Sequence, residues 1–316
     1  MNVAFLGTPH FAVPALEAIA AAGHSIAAVY TQPDRPSGRG QELAQSPVKE
    51  AAVRLGIEVR QPERVRRPEA VAELAALQAD VFVVVGYGQI LPQAVIDLPR
   101  LGVVNVHASL LPRWRGAAPI QWAIAEGDAV TGVTTMMIDA GLDTGDILLL
   151  AETPIGPEEN AIELGRRLAP MGAELLIETL RLLERGECPR VPQDHSLATK
   201  ARILQREDGL IDWRRPAREI FNRARGFLPW PGAWTWFRGQ RFNVWKCRPV
   251  PSREWVAGEP MALGMVRAID KRLLAGTGAG VLELLEVQLE GRRRVDAAAF
   301  INGTRFTGDD MLGEHA

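Results

Sequence analysis

Along the first half of the chain, short apolar runs alternate with stretches whose apolar residues recur every three to four positions. Asn2–Leu6, Ile26–Thr31, Ile57–Arg60, Val81–Val85 and Val103–Val106 read as strands. His10–Ala22, Pro47–Leu55, Pro68–Gln78 and Pro119–Ala125 read as helices, the first two closed by Gly23 and Gly56. Strands alternating with helices predict an α/β fold, a Rossmann-like, doubly wound, mostly parallel sheet. Gly132–Met137 and Ile147–Thr153 follow as paired strands. Glu158–Arg185 is a long amphipathic helix, with Leu164, Leu168, Leu175, Ile177 and Leu180 apolar, and Gly186 and Pro189 end it. Arg190–Gln205 has little periodicity and reads as a linker. From Gly209 onward the pattern changes to short strand-like pieces: Ala233–Phe237, Phe242–Lys246, Gly264–Ala268, Arg272–Ala275 and Val281–Gln288, with one helix near Pro216–Arg225. Such spacing predicts a smaller β-barrel domain. The expected divisions are 1–189, a linker at 190–206, and 207–316.

Composition narrows this only slightly. At 316 residues the chain suits two domains, and 47 % hydrophobic with 23 % charged residues is ordinary for a globular protein. The net charge of −2 does not announce a nucleic acid partner. Residues 201–250 nevertheless hold eleven Lys and Arg against four Asp and Glu, a local field able to steer a polyanion. The two cysteines, Cys188 and Cys247, offer neither a disulfide framework nor a metal spacing, so no metal is expected. The start enters a strand without a basic leader, and no apolar run approaches ~18 residues. A cytoplasmic location, free of membrane, is the expectation. Gly7-Thr8-Pro9 is not a dinucleotide fingerprint, so this sheet need not bind NAD.

The densest chemistry lies at Asn105-Val106-His107-Ala108-Ser109-Leu110-Leu111-Pro112. Residues i and i+2 of a strand share a face, so Asn105 and His107 project together while Val106 points away. An amide donor beside an imidazole can hold an oxyanion and move a proton, as carbonyl chemistry requires. The plainer alternative is two polar groups capping a loop. Downstream, Met137-Ile138-Asp139-Ala140-Gly141-Leu142-Asp143-Thr144-Gly145-Asp146 offers three acids able to orient the imidazole. In a parallel sheet the ligand sits beyond the carboxyl ends of the strands, where Gly7, Gly86 and Asn105 fall.

Asn105, His107 and Asp143, set in NVHASLLPRWRGAAPIQWAI and GVTTMMIDAGLDTGDIL, resemble the catalytic triad and flanks of the folate-dependent formyltransferases. The resemblance runs from Val3-Ala4-Phe5-Leu6-Gly7-Thr8-Pro9 to Ile301-Asn302-Gly303. It implies a formyl donor, 10-formyltetrahydrofolate, and an OB-like C-terminal barrel. It selects Asp143 over Asp139 and Asp146 as the active acid. It also implies folate contacts at Ser109, Leu110, Leu111 and Pro112, and a pterin pocket lined by Gly86, Tyr87, Gln89, Ile90, Leu91, Ile138, Asp139 and Ala140. For Leu110, Leu111 and Ile90 core packing is the plain alternative.

The loop Gln32-Pro33-Asp34-Arg35-Pro36-Ser37-Gly38-Arg39-Gly40 narrows the resemblance to members acting on initiator methionyl-tRNA. Without an apolar period, Pro33–Gln45 reads as a surface segment. Arg35 and Arg39 would reach the acceptor arm, with Arg39 the leading candidate. Gln41-Glu42 stand where the family carries lysines, which weakens the local field. Arg202, Arg206 and Arg223 are expected to follow tRNA phosphates, in a protein acting as a monomer. Trp230, Trp234, Trp236 and Trp245 invite base stacking, against a packed-turn reading of Trp230-Pro231-Gly232-Ala233-Trp234. Competing readings are a sugar-nucleotide N-formyltransferase, a one-domain glycinamide ribonucleotide formyltransferase, and an inactive folate- or RNA-binding protein.

Overall fold

The computed structural model describes residues 1–37, 42–251, 261–307 and 310–313. Two compact units are present. One comprises Met1–Pro119, Val130–Pro154 and Leu164–Arg202; the other comprises Ile120–Ala129, Ile155–Glu163 and Ile203–Ala316. In chain order the strands of the first half are β1 (Asn2–Gly7), β2 (Ser25–Tyr30), β3 (Arg35–Ser37), β4 (Glu42–Ala44), β5 (Val59–Arg60), β6 (Val81–Val85), β7 (Val103–His107), β8 (Arg115–Gly116), β9 (Val130–Met137) and β10 (Ile147–Pro154). The helices are α1 (Val13–Ala21), α2 (Pro47–Arg54), α3 (Pro68–Ala76), α4 (Gln93–Ile96), α5 (Pro119–Ala125) and α6 (Ala161–Arg185).

Seven strands form one sheet in the order β10-β9-β7-β6-β1-β2-β5. From β5 to β7 the pairs are parallel, whereas β9 and β10 are antiparallel. Runs such as Val81–Val85 are buried along their whole length because both faces of a parallel sheet are covered. The order reverses beside β1, where β2 departs to one side and β6 to the other, the kind of reversal at whose strand ends such sheets hold ligands. Val106 faces α6, since a Cβ on Gly172 of that helix would come within 2.9 Å of Val106 Cγ1. Its neighbours Asn105 and His107 therefore occupy the opposite face of β7.

The later strands are β11 (Lys200–Ala201), β12 (Ala233–Phe237), β13 (Gln240–Pro249), β14 (Val266–Ile269), β15 (Arg272–Gly276), β16 (Val281–Leu289) and β17 (Val295–Asp296), with helices α7 (Ala217–Gly226) and α8 (Ala297–Gly303). β12 to β16 form an antiparallel sheet in the order β12-β13-β16-β15-β14, and β17 pairs with β16. The two edges are joined by the end of the chain: Leu312 bridges Phe237 and Met311 bridges Met265. Leu312 N donates to Gly264 O at 2.7 Å and Gly313 N to Trp236 O at 2.9 Å. This closes the expected barrel around Trp213, Phe221, Phe237, Phe242, Leu273 and Leu284.

Three segments differ from the sequence reading. The long helix begins at Ala161 rather than Glu158, because Asn160 Oδ1 accepts the N–H groups of Ile162 and Glu163 while Glu163 returns a carboxylate to Asn160 N. The Pro33–Gln45 loop contains a hairpin, β3 with β4. Within the expected linker Arg190–Gln205, Lys200–Ala201 pairs in parallel with Arg115–Gly116. Both cysteines are free thiols, and burial pushes Cys247 up to about 12. Among the described residues no helix is long and apolar enough to cross a membrane, and no cluster of acids, histidines and cysteines could hold a metal.

Candidate active site

β7 delivers Asn105 and His107 to the carboxyl end of the sheet, where they are 9 % and 6 % exposed. His107 Nε2 lies 2.9 Å from Trp114 O. A carbonyl can only accept, so Nε2 carries a proton, and in the neutral imidazole Nδ1 presents its lone pair. That Nδ1 lies 3.8 Å from Asp143 Oδ2. Asp143 Oδ2 accepts the Gly116 N–H at 2.8 Å, and Oδ1 has no protein partner among the described residues. The Asn105 carboxamide, almost wholly enclosed, also makes no hydrogen bond to any described residue. Two polar groups capping a loop would satisfy one another. A buried amide left without a protein partner is instead a donor available to a ligand.

The acidic loop resolves into three roles. Asp143 faces His107 from a backbone at φ 52°. Asp139 Oδ1 is occupied within its own loop, accepting Gly141 N at 3.0 Å and Thr144 Oγ1 at 2.7 Å. Asp146 contributes its backbone carbonyl to Met137 N. Of the three acids, Asp143 is the one at ion-pair distance from His107 among the described residues.

The expected folate contacts divide by side chain. Ser109 is fully buried, its hydroxyl donating to Arg113 O at 2.6 Å. Thr134 Oγ1 donates to Ser109 O and accepts Leu111 N, pinning the Ser109–Pro112 turn to β9. Leu110 packs towards Gly132 of the same strand, and Leu111 is buried. In the Gly86–Leu91 loop, Gly86 has φ 58° and sits against Pro9. Tyr87 and Leu91 point into the core. Gln89 spends its amide on Val65 N and Pro62 O. Ile90 is the outlier at 88 % exposure. Ile138 is half-buried beside this core, and Asp139 and Ala140 are exposed. Of the expected contacts in the Gly86–Leu91 loop, therefore, Ile90 is the one that turns its side chain outward.

An open cleft of about 470 Å³ runs along α3. Its Arg60, Arg64 and Arg67 are matched by Glu63, Glu69 and Glu73, so it carries no net field.

The arginines expected to meet RNA have different fates. Arg35 is exposed on the β3–β4 hairpin, whose base is held by Lys49–Asp34 at 2.5 Å and by Gln61 on Asp34 at 2.8 Å. Arg39 lies outside the described residues. Arg202 and Arg206 are exposed. Arg223 is packed over Phe227 and Trp122 and reaches Glu126 at 3.5 Å. Among the tryptophans, Trp234 is buried and Trp245 donates to Gln288, while Trp230 stands 54 % exposed.

Sequence reasoning missed Gln193 and Thr199, both in the segment read as a linker. Thr199 Oγ1 accepts Trp114 N at 2.8 Å, and Gln193 Nε2 donates to the carbonyls of Asp143 and Gly145. Single polar residues making long-range bonds leave no periodic signal.

The family profile described as formyl transferase matches residues 1–180, and that of the formyl transferase C-terminal domain matches 203–305. The chain belongs to the formyl transferase family. A relative from Solibacter usitatus (strain Ellin6076), named methionyl-tRNA formyltransferase, is 60 % identical over 99 % of each chain. Among solved structures, HypX from Aquifex aeolicus in complex with tetrahydrofolic acid superposes with a TM-score of 0.64 at 16 % identity, over 95 % of this chain and 47 % of that one. WlaRD, a sugar 3N-formyl transferase, gives 0.66 at 16 % identity over 93 % and 99 %. At those identities the structural likeness speaks for the formyl transferase fold alone.

Proposed function

We propose that this formyl transferase moves the formyl group of 10-formyltetrahydrofolate to the α-amine of methionine on initiator methionyl-tRNA. Support for the acceptor comes from the near-full-length relative at 60 % identity, and support for a folate donor from the tetrahydrofolate complex of HypX. The observation that carries the chemistry is the enclosed, unpartnered Asn105 carboxamide beside His107 and Asp143.

In this reading the amine nitrogen attacks the formyl carbon, and Asn105 donates a hydrogen bond to the oxygen as it becomes an oxyanion. His107 holds its Nε2 proton on Trp114 O, so Nδ1 is the face that receives a proton from the attacking amine. The imidazolium so formed is opposed by the Asp143 carboxylate. Collapse of the intermediate breaks the C–N10 bond, and the proton passes to N10. The donor would lie along the strand ends, against the Ser109–Pro112 turn and the loops carrying Ile90 and Ile138–Ala140. Residues 207–316, with Arg202, Arg206 and Arg223, together with Arg35 and Arg39, would serve the tRNA. This reading places a monomeric enzyme in the cytoplasm.

Transfer of labelled formyl to methionyl-tRNA, run beside a sugar-amine acceptor and a no-enzyme control, tests the acceptor. Label entering only the sugar amine overturns it. Asn105→Ala is expected to lower kcat about a hundredfold to a thousandfold, the usual cost of one oxyanion donor. A near-wild-type rate in a folded variant removes Asn105 from the mechanism.

A further inference from the structure

We propose that Gln193 is a positioning residue for formyl transfer, setting the Asp143 carboxylate against His107 without touching substrate. This rests on the reading of Asn105, His107 and Asp143 above.

Gln193 is 7 % exposed, and all of its amide valences are used. Nε2 donates to Asp143 O at 2.9 Å and Gly145 O at 2.7 Å. Oε1 accepts from Arg115 Nε at 3.0 Å and Arg115 Nη2 at 2.7 Å. The donors land on the residue that carries the proposed catalytic carboxylate, held at φ 52°. The acceptor is anchored on Arg115, which lies between the two backbone groups the site uses. Trp114 supplies the carbonyl for His107 Nε2, and Gly116 supplies the N–H for Asp143 Oδ2. One carboxamide therefore couples the acid's loop to the segment that orients both acid and imidazole.

The surrounding chain reinforces that register. Arg115 Nη2 also reaches His195 Nδ1 at 3.0 Å. Thr199 accepts Trp114 N, and β11 pairs with β8. The approach at Gly116 is so close that a Cβ there would lie 2.5 Å from Ala201 O. Residues 193–201 thus form a strap bonded to both the Asp143 loop and the Trp114–Gly116 segment. Asp143 Oδ2 and His107 Nδ1 are 3.8 Å apart, so a shift of about 1 Å that parts them takes the carboxylate out of ion-pair reach of the imidazolium formed during transfer, and errors of that size cost about a hundredfold in rate.

Kinetics on the full chain test the inference, using wild type, Gln193→Leu, Gln193→Glu, Asp143→Asn and the Gln193→Leu/Asp143→Asn double variant, with thermal melts for each. Gln193→Leu is expected to lower kcat about tenfold to a hundredfold while KM for the folate stays within about twofold. In the Asp143→Asn background the same change is expected to alter kcat by less than about twofold, because its route is already cut. Gln193→Glu keeps the acceptor for Arg115 but turns a carboxylate oxygen towards two carbonyls. Its rate relative to wild type should rise as pH falls and the protonated carboxyl donates again.

Wild-type kcat in Gln193→Leu, or an equal fold-loss in both backgrounds, overturns the inference. Where Gln193→Leu does not fold, a pH-independent ratio for Gln193→Glu does the same. Wild-type rates in Asp143→Asn would instead remove the underlying reading, and the positioning role with it.

Discussion

At Asp143 the conformation of one residue and its chemistry can be separated. Its φ of 52° lies in the left-handed region, which Asp and Asn enter more readily than other side chains because their short polar groups bond locally. Asp143→Asn therefore keeps the backbone comfortable and leaves an oxygen to accept Gly116 N–H, removing only the charge opposite His107. It is expected to lower kcat about a hundredfold at a stability within about 0.5 kcal/mol of wild type. Asp143→Ala should lose a further 1–2 kcal/mol, about the cost of forcing a Cβ residue without a local acceptor into that region. Denaturant unfolding and steady-state kinetics on the pair measure the two effects separately; equal stabilities would show that the backbone carries no strain at this position. The sequence alone left Asp139, Asp143 and Asp146 as alternatives, since all three sit in one loop. What separates them is a long-range contact with His107 and a short-range one within Asp139's own turn.

Among elements, legibility follows burial. Val81–Val85 and Pro119–Ala125 stand at their expected bounds because an uninterrupted buried run and a Pro-started amphipathic turn both leave a local signal. β8 and β11 left none: each is two residues long, and their pairing is fixed by Gly116 and Thr199 rather than by apolar alternation. Barrel closure was equally hidden. The segment that joins β12 to β14 depends on Arg238, whose Nε and Nη2 grip Asp310 Oδ1 and Oδ2 at 2.8 and 2.9 Å, while Thr307 N donates to the same carboxylate. The Arg238 hydrogen bonds, foremost, hold the Asp310 carboxyl below its ordinary value. A depressed folded value means the contribution is full above the unfolded value near 3.9 and is lost as pH falls through the folded one. Asp310→Asn should therefore destabilise the protein at pH 7 by about 1–2 kcal/mol, discounted for the half-exposed arginine. The gap in melting temperature should close below about pH 4. A gap independent of pH would assign the loss to packing instead of charge.

For the molecule as a whole, a net charge of −2 conceals where positive charge is left unanswered. Much of the arginine excess in 201–250 is already neutralised: Arg214 pairs with Asp212, Arg215 with Glu219, Arg238 with Asp310 and Arg248 with Glu283. Arg206 and Arg241 are different. Both lie over the Trp234 ring, at 5.9 and 4.6 Å, and among the described residues neither has a carboxylate at ion-pair distance. Burial first, and the Arg206 charge second, push Arg241 below its ordinary value. Two like charges sharing one indole are relieved by a phosphate placed between them, so this is where the proposed tRNA contact has most to gain. If about four phosphates are engaged across the molecule, log K should fall with log salt at a slope near −3.6, about a hundredfold between 50 and 200 mM. KM for methionyl-tRNA, measured while that for the folate donor serves as reference, should rise steeply over this range, and the folate value should move far less. In Arg206→Gln/Arg241→Gln the tRNA slope should become shallower by about two contacts. A slope unchanged in that variant would place the tRNA elsewhere, and a flat wild-type profile would leave the basic excess without a role in substrate binding.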